Sequence, residues 1–408
     1  MFQIVFPPEM TGPAVRQVFA ALEAAGGEGC VRFVGGCVRD VVMGREPGDL
    51  DLSTQLTPDQ TEAALTAAGV RHVPTGKAFG TITAIVDGTP FEITSLRRDV
   101  ETDGRRAVVS FTTDWAEDAL RRDFYLNALY ADIRGQVFDP TGQGLGDARA
   151  GRVRFIGDAE TRIREDYLRI LRFFRFTASH GSSVDAPSLA ACLVLKTGIE
   201  GLSGERIQQE LFKLLSVSDP SDVVRLMIDE GVLPHGLGGL RISAALFPAV
   251  VTLIDDIPQR LMGLIHPEGW AALPTITARL RLSNRLSERL NAAWAAWPEA
   301  DLAHEASWRR LAYLNGREAV NDALCLRAAE AGVSRARWDA VAASVLSLDV
   351  PVFPLKSARL IEAGLKAGPE LGQAMRGIEN RWVAHDFSPN VIDAAIDEIR
   401  ERTKIIGQ

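Results

Sequence analysis

Apolar positions change period several times along the chain, and each change marks an element. Between Pro13 and Gly26, Val15, Val18, Phe19 and Leu22 fall at i, i+3, i+4 and i+7, which predicts a helix with one apolar face. Cys30 to Val34 predicts a strand, Val38 to Met43 a short helix closed by Gly44, and Asp49 to Ser53 a second strand. Thr57 is a good N-cap and Pro58 suits the first helical position, so a helix is expected from there to about Ala68. Arg71–Pro74, Thr81–Val86 and Pro90–Ser95 read as strands, the last two joined by the hairpin signal Asp87-Gly88. Residues 96–118 are polar and charge-mixed, with Arg97, Arg98, Arg105 and Arg106 around Thr102-Asp103-Gly104, and predict a mobile surface loop. One helix is expected over 159–176 and another over Glu205–Leu215, capped by Ser203. From Asp222 to Gln408 the period is helical, broken at Pro248, Pro258, Pro267, Pro274, Pro298 and Pro354. The fold class expected is α+β in the N-terminal part, a small mixed sheet with helices, followed by an all-α C-terminal half.

Composition changes this picture little. At 408 residues, with 46% hydrophobic and 24% charged residues, the chain has the make-up of a globular protein of two to four domains. No apolar run approaches the roughly 20 residues needed to span a bilayer, and the first residues lack a basic, then apolar, signal pattern. Cys30, Cys37, Cys192 and Cys325 have no metal-like spacing and read as buried free thiols in a reducing cytoplasm. The net charge of −8 is not that of a general nucleic-acid binder, so any RNA contact must come from clustered arginines.

The chemistry begins at Gly35-Gly36, which end an apolar run and open a helix, where backbone N–H groups suit phosphate. Asp49 and Asp51 follow, separated by one leucine. On a strand both would point to one face, and two adjacent carboxylates are costly unless a divalent cation neutralises them; hard oxygen ligands suit Mg²⁺. In Phe91-Glu92-Ile93-Thr94, alternation puts Glu92 and Thr94 together. If this strand neighbours that of Asp51, Glu92 is either a third carboxylate of the site or a structural or substrate-facing residue.

The stretch Gly35-Gly36-Cys37-Val38-Arg39-Asp40, Gly44 and Asp49-Leu50-Asp51 resembles the signature of the nucleotidyltransferase superfamily that includes DNA polymerase β. Within it, the nearest resemblance is to bacterial class II tRNA nucleotidyltransferases (CCA-adding enzymes) and their sister poly(A) polymerases. The resemblance implies a polymerase β-like palm and two Mg²⁺ ions on Asp49 and Asp51, with Glu92 in the position of a third acid. It also implies a flexible loop within 96–118 that helps switch from C to A addition. Arg121-Arg122-Asp123 with Asn127-Ala128 looks like the family's next motif, and implies Gly36, Arg39 and Arg122 on the triphosphate and Asp123 with Asn127 near the ribose. The glycine-rich turn Asp139–Asp147 resembles the connection that follows the palm.

Glu165-Asp166-x-x-Arg169-x-x-Arg172-x-x-Arg175-Phe176 resembles the family's base-recognition motif, which implies that Asp166 and Arg169 imitate Watson–Crick pairing. The chemistry agrees. A carboxylate accepts from the exocyclic amine of C or A, and a guanidinium donates to cytosine O2/N3 or adenine N1; neither U nor G offers that pattern. Arg172 and Arg175 would support the pair or reach phosphate and RNA. On a continuous helix each step of three residues slips back about 60°, so only part of this row is expected to face one ligand. Residues 152–176 hold seven arginines against four acids.

The expected domains are a palm over 1–147, a helical base-recognition neck over 148–220 and an all-α, tRNA-binding body and tail over 221–408, elongated in shape. Leu280–Arg289 resembles the tRNA-contacting body; Trp294, Trp297 and Trp308 read as core aromatics. His385-Asp386 has no partner motif, which excludes a metal phosphohydrolase. The implied activity is template-independent addition or repair of the tRNA 3′-terminal CCA from CTP and ATP, with the tRNA acceptor end as partner and neither a membrane nor an obligate protein partner. Poly(A) polymerase, or a CC- or A-only enzyme, shares the same palm. A non-catalytic RNA-binding protein on a degenerate palm is disfavoured by the intact Asp-x-Asp.

Overall fold

The computed structural model describes residues 2–406 apart from 104–105, 241, 243–244 and 266–269. Arg105, Gly104 and Pro267 therefore lie outside the described residues. The chain divides into two compact units, Met1–Leu240 with Arg279–Arg281, and Arg241–Ala278 with Leu282–Gln408. The glycine-rich turn and residues 148–220 both lie within the first.

The first unit is built on an eight-stranded sheet. Its strands are β1 (Phe2–Gln3), β2 (Val31–Val34), β3 (Asp51–Thr54), β4 (Arg71–Gly76), β5 (Thr81–Val86), β6 (Thr89–Ser95), then β9 (Tyr130–Ala131) and β10 (Gln136–Phe138), in spatial order β1-β10-β9-β2-β3-β6-β5-β4. Every pairing is antiparallel except β3 with β6. One face carries Phe33, Leu52, Ile82 and Ile93, all fully buried. Helices α1 (Pro13–Gly26) and α3 (Pro58–Ala67) cover that face, and α2 (Gly36–Val42) lies between β2 and β3 in the chain. Local signals fix these elements. Thr57 and Gln60 form a full capping box on α3. Asp87 and Gly88 both have positive φ, 51° and 80°, which suits a type I′ turn.

Residues 96–118 are not a loop. They form a hairpin, β7 (Arg97–Asp103) with β8 (Arg106–Phe111), and lead into the short helix α4 (Trp115–Leu120). The segment 159–176 is likewise two helices, α5 (Ala159–Glu165) and α6 (Leu168–His180), and α7 (Gly204–Leu215) packs along α6. An aromatic cluster seats α6 on the Arg122-Asp123 segment: Phe124 lies 4.9 Å from Phe155 and 5.4 Å from Phe176, and Phe155 stacks on Phe173 at 5.8 Å.

The second unit is helical. Pro248, Pro258 and Pro274 stand at the starts of helices Phe247–Leu253, Ile257–Ile265 and Leu273–Leu280 rather than breaking longer ones. That is where a missing N–H costs nothing. Trp308 is core, but Trp294 is 38% exposed and packs against Trp270 at 4.6 Å with the rings tilted by 40°. The basic stretch ending at Arg289 is partly committed to the fold. Arg289 Nε donates to Asp322 at 2.7 Å and Nη2 to Asp256 at 2.9 Å. Burial pushes the Asp322 carboxyl up to about 6 even though Arg289 opposes it. All four cysteines are buried and free, and no helix among the described residues is long and apolar enough to cross a membrane.

Arg289→Met should strip a fully buried carboxylate of its counter-charge and destabilise the second unit by about 3 kcal/mol. Asp322→Asn, which removes the charge instead, should cost clearly less. Urea unfolding of the two variants checks the order; equal losses would count against it.

Candidate active site

Three carboxylates gather at one end of β3. Register sets Asp51 directly beside Glu92 in the parallel β3–β6 pair. Asp49 does not share the strand: it lies in a bend two residues before β3 begins, so strand alternation is not what aligns it with Asp51. Burial raises the Asp51 carboxyl to about 6, Glu92 and Asp49 add to the rise, and Arg122 opposes it. Among the described residues no set of three His, Cys, Asp or Glu side chains is spaced to hold a metal by itself. Carboxylate oxygens are the donor type that Mg²⁺ takes, one or two at a time, with water and substrate phosphates completing its shell. Asp51 is partly buried while Asp49 and Glu92 are exposed, so the three carboxylates offer hard oxygen donors at the mouth of the cleft.

Beside it, Gly35 ends β2 with φ +68°, which favours glycine. A Cβ there would stand 3.5 Å from Arg122 Nη1 and 3.6 Å from the Asn127 carbonyl, inside the cleft. Arg122 is aimed by Asp118. Its Nη2 donates to Asp118 Oδ2 at 3.0 Å and its Nε to Tyr130 Oη at 3.2 Å. Tyr130 Oη in turn donates to the same Oδ2 at 2.7 Å, and Arg121 Nε to Oδ1 at 2.8 Å. Burial works to raise the Asp118 carboxyl, but Arg122 and Arg121 outweigh it and bring it down to about 2.

Arg39 is mostly committed inward: Nη1 donates to Asn127 Oδ1 at 2.7 Å and Nε to Asp40 at 2.9 Å. Asn127 Nδ2 donates to Asp123 Oδ1 at 3.1 Å, and Arg172 Nε to Asp123 Oδ2 at 2.7 Å. Arg175 Nε donates to Glu210 of α7 at 2.6 Å.

Asp166 sits in the break between α5 and α6, with φ −159° and ψ 106°. Its Oδ1 accepts from the Leu168 N–H at 3.1 Å and its Oδ2 from Arg206 of α7 at 2.7 Å. Arg169 pairs not with Asp166 but with Glu165 and the Arg162 carbonyl. All four of Asp166, Arg169, Arg172 and Arg175 line one cleft of about 470 Å³, with Gly35, Gly36, Arg39, Asp51, Arg122, Asp123 and Asn127. The row is not split, because the break re-aims Asp166 and the guanidinium groups are long. Asp49 and Glu92 are not among the lining residues. Three supports escaped the sequence reading: Asp118, Glu165 and Glu210. The i, i+4 spacings Asp118–Arg122 and Glu165–Arg169 were the available signals; Glu210, 35 residues from Arg175, offered none.

Residues 31–154 match the Poly A polymerase head domain, and residues 183–240 match the Probable RNA and SrmB-binding site of polymerase A. A CCA-adding enzyme of Streptococcus pyogenes is 32% identical over 361 residues, 85% of this chain and 87% of that protein. The chain belongs to the CCA-adding enzyme family. Mitochondrial CCA tRNA nucleotidyltransferase 1 of Mus musculus is 44% identical over 212 residues, 50% of this chain and 48% of that protein. The chain thus spans about half the length of the first curated relatives it matches. In fold, the CCA-adding enzyme of Bacillus stearothermophilus in complex with CTP superposes with a TM-score of 0.79 at 23% identity, covering 97% of this chain and 100% of that one.

In this member of the CCA-adding family Asp118 supports Arg122 without touching the cleft. Asp118→Asn should lower stability at pH 7 by about 3 kcal/mol, since two arginines and a tyrosine lose their buried anion. The folded carboxyl lies at about 2, below its ordinary 3.8. Its contribution is therefore complete above about pH 4 and is lost as pH falls toward 2. Urea midpoints of wild type and variant should converge across that window; a gap unchanged at the acid end would refute the assignment.

Proposed function

We propose that the chain adds or repairs the 3′-terminal CCA of tRNA, using CTP and ATP. The observation that carries this reading is the meeting in one cleft of Asp51 and Arg122 with the row Asp166, Arg169, Arg172 and Arg175. The first pair suits nucleotidyl transfer from a triphosphate. The row suits selection of a base without a nucleic-acid template.

In this reading Asp49 and Asp51 hold two Mg²⁺ ions, with Glu92 beside them as a third carboxylate. Ions bound there supply activation of the primer 3′-hydroxyl and neutralisation of the leaving pyrophosphate. Arg122, fixed by Asp118, and the Gly35–Gly36 backbone hold the triphosphate, so that the α-phosphate is presented to the primer before any bond changes. Asp123 and Asn127 hold the ribose side of the cleft, where a polar group can read a 2′-hydroxyl. Asp166 keeps acceptor capacity beyond its bonds to Leu168 and Arg206, and Arg169 keeps N–H groups beyond Glu165. Together they offer an acceptor and a donor to the edge of C or A. Arg172 and Arg175, held by Asp123 and Glu210, brace this edge.

A tRNA lacking CCA, incubated with Mg²⁺ and CTP alone, ATP alone or both, tests the reading. The expected products are two added residues with CTP and three with both nucleotides. The head-domain match favours one alternative, poly(A) polymerase, and a long A tail with ATP alone would replace the CCA reading. Asp49→Ala should abolish all addition. Asp166→Ala should retain some turnover and lose discrimination against UTP; unchanged C and A selection would remove Asp166 from base reading.

A further inference from the structure

One buried titratable group in the first unit has no part in the chemistry above. His180 is the last residue of α6, the helix of Arg169, Arg172 and Arg175. Its Nε2 lies 3.1 Å from Asp40 Oδ1, and its Nδ1 lies 2.6 Å from Ser179 Oγ. Asp40 belongs to α2, the helix opened by Gly36, and accepts from Arg39 Nε at the same oxygen. The three side chains are between 8% and 15% exposed, so the contact is shielded from water. Burial, reinforced by Arg39 and Arg45, holds His180 below its ordinary value although Asp40 opposes this. A neutral ring can donate from Nε2–H to Asp40, with Nδ1 beside the Ser179 hydroxyl, which also donates to the Arg175 carbonyl at 2.9 Å. A second bond runs alongside: Arg45 donates to the Ser179 carbonyl at 2.5 Å.

These bonds continue on the other side of Arg39. Arg39 reaches Asn127, Asn127 reaches Asp123, and Asp123 accepts from Arg172. The path thus leaves α6 at His180 and returns to it at Arg172, about 12 Å earlier along the axis. The His180–Asp40 contact holds the C-terminal end of α6, and adds to the hold that Glu210 of α7 and the aromatic cluster around Phe124 have on its middle. Of the row, Arg169 stands near the other end of α6 and Asp166 just before it, where a small change in tilt is amplified.

We propose that His180 is a positioning residue, which with Asp40 sets the tilt of α6 against α2 and so the placing of the base-reading row relative to the triphosphate. This rests on the reading of the cleft as a nucleotide site. A histidine that only filled the core would influence stability and leave the ratio of nucleotide affinities alone.

Calorimetric titration of CTP, ATP and UTP into the full chain with Mg²⁺ and no RNA tests it, on wild type, His180→Phe and His180→Gln. His180→Phe should weaken CTP and ATP by roughly 3- to 10-fold, the worth of one ordinary hydrogen bond, and narrow the CTP-to-UTP ratio. His180→Gln, whose amide can still donate to Asp40, should recover most of both. In an Asp40→Asn background His180→Phe should add little, because the pair acts as one unit. A lower melting temperature with all three affinities within twofold, or a loss equal for all three nucleotides, would overturn the proposal. Wild type that binds CTP selectively yet adds nothing to tRNA lacking CCA would refute the proposed activity and leave the role of His180 standing. Wild type that binds no CTP would refute the reading of the cleft itself.

Discussion

Asp123 accepts hydrogen bonds from both sides of the cleft. Oδ1 takes the Phe124 N–H and the Asn127 amide, and Oδ2 takes the Arg172 guanidinium. Burial works to raise this carboxyl, and Arg172 with Asn127 brings it below its ordinary value. A buried carboxylate stripped of its cation is strongly destabilising, so Asp123 and Arg172 specify each other's positions. The contacts form a chain through the fold. The sheet places α4, the turn after α4 places Asp123, Asp123 places Arg172, and Arg172 sets α6 over the glycines. The triplet Arg121-Arg122-Asp123 is therefore divided, two arginines turned to Asp118 and the aspartate turned to the facing helix.

The same device recurs around the cleft and shows how an acidic chain can gather arginines in one place. Arg122 is backed by Asp118, Arg169 by Glu165, Arg175 by Glu210 and Arg39 by Asp40. Each carboxylate offsets the burial of its guanidinium and fixes its direction, while the remaining N–H groups stay available. Net charge says nothing about this, because the pairs cancel in the sum and not in space. At the Asp51 end the balance is reversed: Glu92 and Asp49 add negative charge and only Arg122 opposes it. The cleft therefore presents oriented donors along most of its lining and, at Asp51, a carboxylate with two acidic neighbours outside that lining, an arrangement that suits the triphosphate and cation of the proposed reaction.

What was legible in the sequence was local. The α1 stripe, the Thr57 cap and the Asp87-Gly88 turn are each decided within a few residues, and each formed as expected. The neighbourhood of Glu92 and Asp51 depends on the one parallel pairing in the sheet, a contact across 41 positions, and could only be posed as a condition. The hairpin β7–β8 was hidden because β7 is charged and mixed in sign and neither strand shows the alternation that burial on one face imposes. The prolines of the second unit carried a real signal whose sense was ambiguous: the same residue ends one helix or begins the next.

The break at Asp166 had no signal at all, since neither glycine nor proline stands there. Its cause is a side chain competing with the helix: Asp166 takes the Leu168 N–H and leaves its own backbone extended. The consequence reaches the site. In one unbroken helix Asp166 and Arg175, nine residues apart, would stand about 180° apart round the axis. With the break, both line the same cleft. The gain has a condition attached, because a residue at a helix junction is not oriented by its own helix. Arg206 of α7 supplies that orientation, and Glu210, one turn further along α7, holds Arg175. The geometry of the row Asp166, Arg169, Arg172 and Arg175 is thus a property of how α6 and α7 dock, and it would be altered by substitutions on α7 outside the cleft.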